Sequence, residues 1–77
     1  MKTPRDLSAT DLIKILNKFG YEITTQRGSH IRITVISGAV AHHITIPNHN
    51  PLKLGTLLSI INDVSEFLKI PKSEILK

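Results

Sequence analysis

The chain has 77 residues, no cysteine, and ten basic against six acidic side chains, for a formal net charge of +4. A domain this small buries only about 60% of its unfolded surface, which excludes a deep enclosed substrate cavity and favours a large, extended partner. Without cysteine there is neither a disulfide framework nor a thiolate metal site.

From the amino end, Met1-Lys2-Thr3-Pro4-Arg5-Asp6-Leu7 lacks the apolar core of a secretory signal. No apolar run approaches the ~18 residues needed to span a bilayer, so a soluble, cytoplasmic protein with no membrane partner is expected. Ser8 with Asp11 three residues on reads as a capping box, Asp11 taking the usual Glu/Gln place, and Leu12, Ile15, Leu16 and Phe19 continue as an apolar stripe at helical spacing. Gly20 stops that helix. Tyr21 to Gln26 and His30 to Ile36 read as strands, Ser37-Gly38 turns into a third near Ala41 to Ile46, and Pro47 ends the sheet. After the polar Asn48-His49-Asn50-Pro51, Leu54, Leu57, Leu58, Ile61, Val64 and Leu68 recur at three- and four-residue steps, the pattern of a second amphipathic helix. Pro71 suits the first turn of a short last helix through Ile75 and Leu76.

This order predicts one α+β domain over residues 1–77: a two-layer α-β-β-β-α sandwich with a short C-terminal helix, its helices on one sheet face and the other face open. Double-stranded RNA-binding domains have the same layout and read A-form shape through phosphate and 2′-hydroxyl contacts. The charge is placed to match. Residues 1–53 hold seven basic and three acidic side chains, residues 54–77 three of each, and no acid occurs between Glu22 and Asp63. That interval carries Arg27, Arg32, Lys53 and all four histidines, a surface that an anionic polymer can approach without repulsion.

Within it, Arg27-Gly28-Ser29-His30 leads into Ile31-Arg32-Ile33-Thr34-Val35-Ile36. Strand alternation sends Ile31, Ile33 and Val35 inward and puts His30, Arg32 and Thr34 together on the opposite face. Imidazole beside guanidinium suits phosphate chemistry: histidine titrates near neutral pH, and arginine grips phosphate oxygens in a fixed fork. A plainer role exists for each residue. A histidine after Gly-Ser can simply close a turn, Gly28 can mark a turn or bulge, and Ser29 can cap rather than donate to RNA. His49 can pack in its loop or serve as a second proton-transfer group. His42 and His43 are neighbours on a strand and so project to opposite faces. No histidine pair has metal-site spacing, so neither a metal nor another cofactor is expected.

Three segments in this order, Gly28-Ser29-His30, Ile44-Thr45-Ile46-Pro47-Asn48-His49 and Lys53-Leu54-Gly55-Thr56-Leu57, together with Phe19-Gly20-Tyr21, resemble the HicA toxins of type II toxin–antitoxin systems over nearly the whole chain. Leu54 stands where the family often has proline, and the pair His42-His43 lies outside the shared pattern. The resemblance implies an mRNA interferase, a ribosome-independent endoribonuclease on a double-stranded RNA-binding fold, held in check by a HicB-type antitoxin. It also implies that the catalytic histidine is His30.

RNA carries its own nucleophile, the 2′-hydroxyl, so a protein that aligns the phosphodiester and moves protons can cleave it without a metal. In that scheme His30 is general base or general acid, and Arg32, with Arg27 or Lys53, offsets charge on the transition state. Arg27, Gly28, Ser29, Arg32 and Lys53 form the expected RNA-binding set. Two other readings use the same residues: a catalytically silent RNA-binding module on the basic sheet face, and a β-sheet interaction domain whose charge is incidental.

Overall fold

The computed structural model describes residues 7–76. The opening segment Met1–Asp6 and Lys77, which belong to the expected 1–77 domain, lie outside the described residues. The first helix, α1 (Ala9–Asn17), begins at Ser8 in the predicted capping box: Ser8 Oγ accepts from the Asp11 N–H at 3.1 Å, and the Asp11 carboxylate accepts from the Ser8 N–H at 3.3 Å. Hydrogen bonding from Ser8, its backbone N–H first, holds the Asp11 carboxyl below the usual aspartate range, because the charged form is the better acceptor. Beyond the helix, Gly20 takes φ 98, and a Cβ there would sit 3.2 Å from Val35 Cγ2. The stop is therefore set both by backbone conformation and by close packing onto the sheet.

Three antiparallel strands follow, β1 (Glu22–Arg27), β2 (His30–Ser37) and β3 (Val40–Pro47), in the spatial order β1-β2-β3. Two-residue turns join them, Gly28-Ser29 and Gly38-Ala39, each with a glycine first, at φ 55 and φ 62. A left-handed residue at this place lets a two-residue hairpin match the strand twist. The second turn sits one residue later than Ser37-Gly38, with β2 running on to Ser37, and β3 begins at Val40, one residue before the expected Ala41. β2 shows the predicted alternation, with Ile31, Ile33 and Val35 buried and His30 and Arg32 exposed. On β3, Ile44 and Ile46 join the buried face. β1 is an edge strand exposed along its length and carries a bulge between Ile23 and Thr25.

The second helix, α2 (Leu54–Leu68), turns Leu57, Ile60, Ile61 and Val64 into the core and ends at Lys69, in left-handed conformation at φ 58. Pro71 is the N-cap of the last helix, α3 (Lys72–Ile75), one place earlier than the first-turn position expected, and Ile75 is buried. The core thus lies between the helices and one sheet face, in the α-β-β-β-α layout read from the pattern. Among the described residues no helix is long and apolar enough to cross a membrane.

Ile33 is fully buried on the central strand, whereas Ile36 is 74% exposed on the open face. Ile33→Ala is expected to lower unfolding free energy by about 3 kcal/mol in urea titrations, and Ile36→Thr by less than about 0.5 kcal/mol. Asp11 titrates lower in the folded than in the unfolded chain, so its contribution is present above the ordinary aspartate pKa and is lost as pH falls through the depressed value. Acid titrations of stability followed by circular dichroism are expected to show a weaker decline in Asp11→Asn than in the parent chain.

Candidate functional site

Hairpin register builds the open face row by row, since residues paired directly across antiparallel strands share a face. Arg27, His30 and Pro47 form the row nearest the first turn, and Thr25, Arg32 and Thr45 the next. Five of these six line one shallow cavity of about 360 Å³: Thr25, Arg27, His30, Arg32 and Thr45. A third row holds Thr34 between Glu22 and His43, with Thr24, the extra residue of the β1 bulge, leaning onto it through a 3.0 Å hydroxyl contact.

His30 is exposed, and no side chain among the described residues hydrogen-bonds its ring. It lines the solvent-open concavity together with Arg27 and Arg32. Gly28 and Ser29 are the turn itself. Their place in the site is to set the backbone from which His30 departs. The Ser29 carbonyl accepts from the Asn48 N–H at 2.6 Å, which staples the loop after β3 to the hairpin tip beside His30. His49 follows in that loop, with its N–H bonded to the Pro47 carbonyl and its carbonyl accepting from the Ala9 N–H. Its side chain is exposed and does not line the His30 cavity. Lys53 stands exposed at the N-cap of α2, also outside that lining. Arg27, His30 and Arg32 are therefore brought together, while His49 and Lys53 stay at the periphery.

Thr25 and Thr45 carry no signal of their own in the sequence. Alternation within each strand names the residues of a face, but only cross-strand register shows that these two hydroxyls flank Arg32. The remaining histidines separate as their adjacency requires. His42 faces the helices, where its Nδ1 lies 2.7 Å from the Tyr21 hydroxyl, its Nε2 lies 3.6 Å from the Asp63 carboxylate, and its ring stacks on Phe67 at 4.4 Å. Burial pushes the Tyr21 hydroxyl up to about 12, with the charge of Asp63 adding to the effect. His42 is a tie between sheet and α2, and His43 lies on the open face. Among the described residues, no group of three His, Asp or Glu side chains is placed to hold an ion.

Among protein-family models, that of the HicA toxin of bacterial toxin–antitoxin systems matches residues 9–65, from the start of α1 into the last turn of α2. No curated protein and no solved structure matches the chain.

Gly28 has open space around the position of a Cβ, so its φ of 55 is the whole constraint there. Gly28→Ala is expected to cost about 1–2 kcal/mol of stability, the left-handed penalty of an L-residue, without a steric clash. Urea melts give the cost, and amide chemical shifts are expected to move at Arg27 to His30 and not in α2.

Proposed function

We propose that this chain, which belongs to the HicA toxin family of bacterial toxin–antitoxin systems, is a metal-independent endoribonuclease that cleaves mRNA with His30 as its acid–base group. Members of this family are generally mRNA interferases. The observation that carries the assignment to His30 is its exposed, unpartnered imidazole in a shallow cavity with Arg27 and Arg32.

In the proposed reaction the ribose 2′-oxygen gives up its proton and bonds to the adjacent phosphorus, and the bond from phosphorus to the 5′-oxygen breaks. The departing oxygen takes a proton. His30 performs one of these two transfers, an effect typically worth ~10²- to 10⁴-fold. Arg32 and Arg27 are forked cations that meet the non-bridging oxygens as negative charge builds on them. Gly28 and Ser29, with no bulky side chain, let a phosphate approach the turn backbone. His49 is the candidate for the second transfer, supported by the tether that holds its loop to Ser29. Lys53, at the periphery, steers the polymer rather than touching the scissile group.

The same surface fits a HicB-type antitoxin. An acidic partner laid over the first turn would cover His30 and neutralise Arg27 and Arg32 in one contact. Toxicity would then be governed by occlusion in the cytoplasm, where mRNA is met.

His30→Ala is expected to lower cleavage by at least ~10²-fold while RNA affinity stays within about threefold, and the parent chain's activity is expected to be unchanged in a chelator. Product analysis is expected to show 2′,3′-cyclic phosphate and 5′-hydroxyl ends; 3′-hydroxyl and 5′-phosphate ends would rule the mechanism out. If the parent chain binds RNA but never cleaves it, the silent-module reading replaces this one. Arg27→Gln and Arg32→Gln are each expected to reduce the slope of log affinity against log salt by about 0.7, one single-strand phosphate contact apiece.

A further inference from the structure

On the open face, beyond the His30 cavity, three strands are joined by a chain of side-chain hydrogen bonds. His43 Nδ1 lies 2.8 Å from Thr34 Oγ1, Thr34 Oγ1 lies 3.0 Å from Thr24 Oγ1, and Thr24 Oγ1 donates to the Arg32 carbonyl at 3.3 Å. The end of this chain dictates its direction. A carbonyl only accepts, so with all three contacts made at once the single proton of Thr24 goes to Arg32, and Thr24 accepts from Thr34. Thr34 has then spent its own proton and must accept from His43. The neutral His43 ring therefore carries its hydrogen on Nδ1, and its other nitrogen, Nε2, is left as a bare acceptor on an exposed side chain.

We propose that His43 Nε2 is a second RNA-binding point, which accepts a hydrogen bond from a ribose 2′-hydroxyl of a nucleotide neighbouring the one cleaved at His30. The proposal rests on the endoribonuclease reading for its ligand, and three observations shape it. His30 and Thr34 are four residues apart on β2, ~13 Å along an extended strand, so the nucleotide at His43 is not the one whose phosphodiester is held at His30. Glu22 is the register partner of Thr34 on the other side, so this end of the face is not cationic like the first. A phosphate is disfavoured beside that carboxylate, whereas a hydroxyl donor meets an oriented lone pair. Finally, the two residues between these points, Arg32 and Thr45, lie in the intervening row and leave an uninterrupted polar path from one to the other. A ribose hydroxyl is the feature by which a protein tells RNA from DNA, and an acceptor held in one tautomer reads it as a donor. Thr34 and Thr24 act through His43 and are positioning residues.

The test has two arms. Imidazole ¹⁵N shifts at a pH where the ring is neutral are expected to show His43 protonated on Nδ1; a ring protonated on Nε2 would overturn the relay and the proposal with it. Binding is then measured for a short oligoribonucleotide with its scissile 2′-hydroxyl O-methylated, and for a series bearing one further 2′-deoxy sugar each. If nothing is cleaved, the unblocked RNA is scanned instead. For the parent chain one deoxy position away from the scissile sugar is expected to weaken binding about fivefold, the scale of one hydrogen bond. His43→Ala should bind the all-ribose RNA about fivefold more weakly and become indifferent to that sugar, with an unchanged melting profile. Thr34→Val should behave as His43→Ala does, and Thr34→Ser, which keeps the hydroxyl, as the parent chain. Undiminished sensitivity of His43→Ala to every deoxy position, or dependence on base identity rather than on the sugar, would overturn the proposal. Cleavage of unblocked RNA reports separately on His30: binding coupled to the sugar without cleavage sinks the ribonuclease reading alone, cleavage without coupling sinks this one alone, and no binding sinks both.

Discussion

The central strand has to serve two solvents at once, and that constraint organises the molecule. Ile31, Ile33 and Val35 must leave water for the core under the helices, and the two-residue period of an extended chain then delivers His30, Arg32 and Thr34 to the other face without choice. A slip of one residue would bury the imidazole and guanidinium and expose three branched aliphatics. The buried set is what prevents that slip. Buried aliphatic residues thereby hold His30 and Arg32 on the open face.

The two short turns convert this alternation into a two-dimensional surface. With glycine first in each, the hairpins are tight and pairing starts at once, Arg27 with His30 and Ser37 with Val40. Every later cross-strand neighbour follows by counting. The open face is consequently graded: Arg27 and His30 at the first turn, Arg32 between two threonine hydroxyls in the middle, and His43 with Glu22 on either side of Thr34 beyond. Such a surface does not enclose a ligand, which matches a chain too small to build a deep pocket and a partner that is itself a polymer.

Adjacent histidines on β3 illustrate how one residue type is put to different uses by geometry. His42, on the helix side, is held by Tyr21, Asp63 and Phe67 and links β3 to α2. His43, one residue on, has a single hydrogen-bonded nitrogen and keeps the other for solvent or a ligand. His30 keeps both. The number of ring nitrogens left without a partner, none at His42, one at His43 and two at His30, follows from which face and which row each ring occupies.

By itself the sequence determined the order of elements, the capped first helix, the buried face of β2, and the company of His30 and Arg32, because each of these depends on near neighbours in the chain and on periods of 2 or 3.6. It also carried the family resemblance that the matched segment bears out. Tertiary structure decided the rest. A turn at Ser37-Gly38 would set Arg32 opposite His43, whereas the turn at Gly38-Ala39 sets it opposite Thr45 and gives His43 to Thr34. The bulge that frees Thr24 to complete a hydrogen-bonded chain, the tether between Asn48 and Ser29, and the peripheral places of Lys53 and His49 likewise come from contacts between segments distant in sequence. Local periodicity says which way a side chain points; only the register between strands says what it points beside.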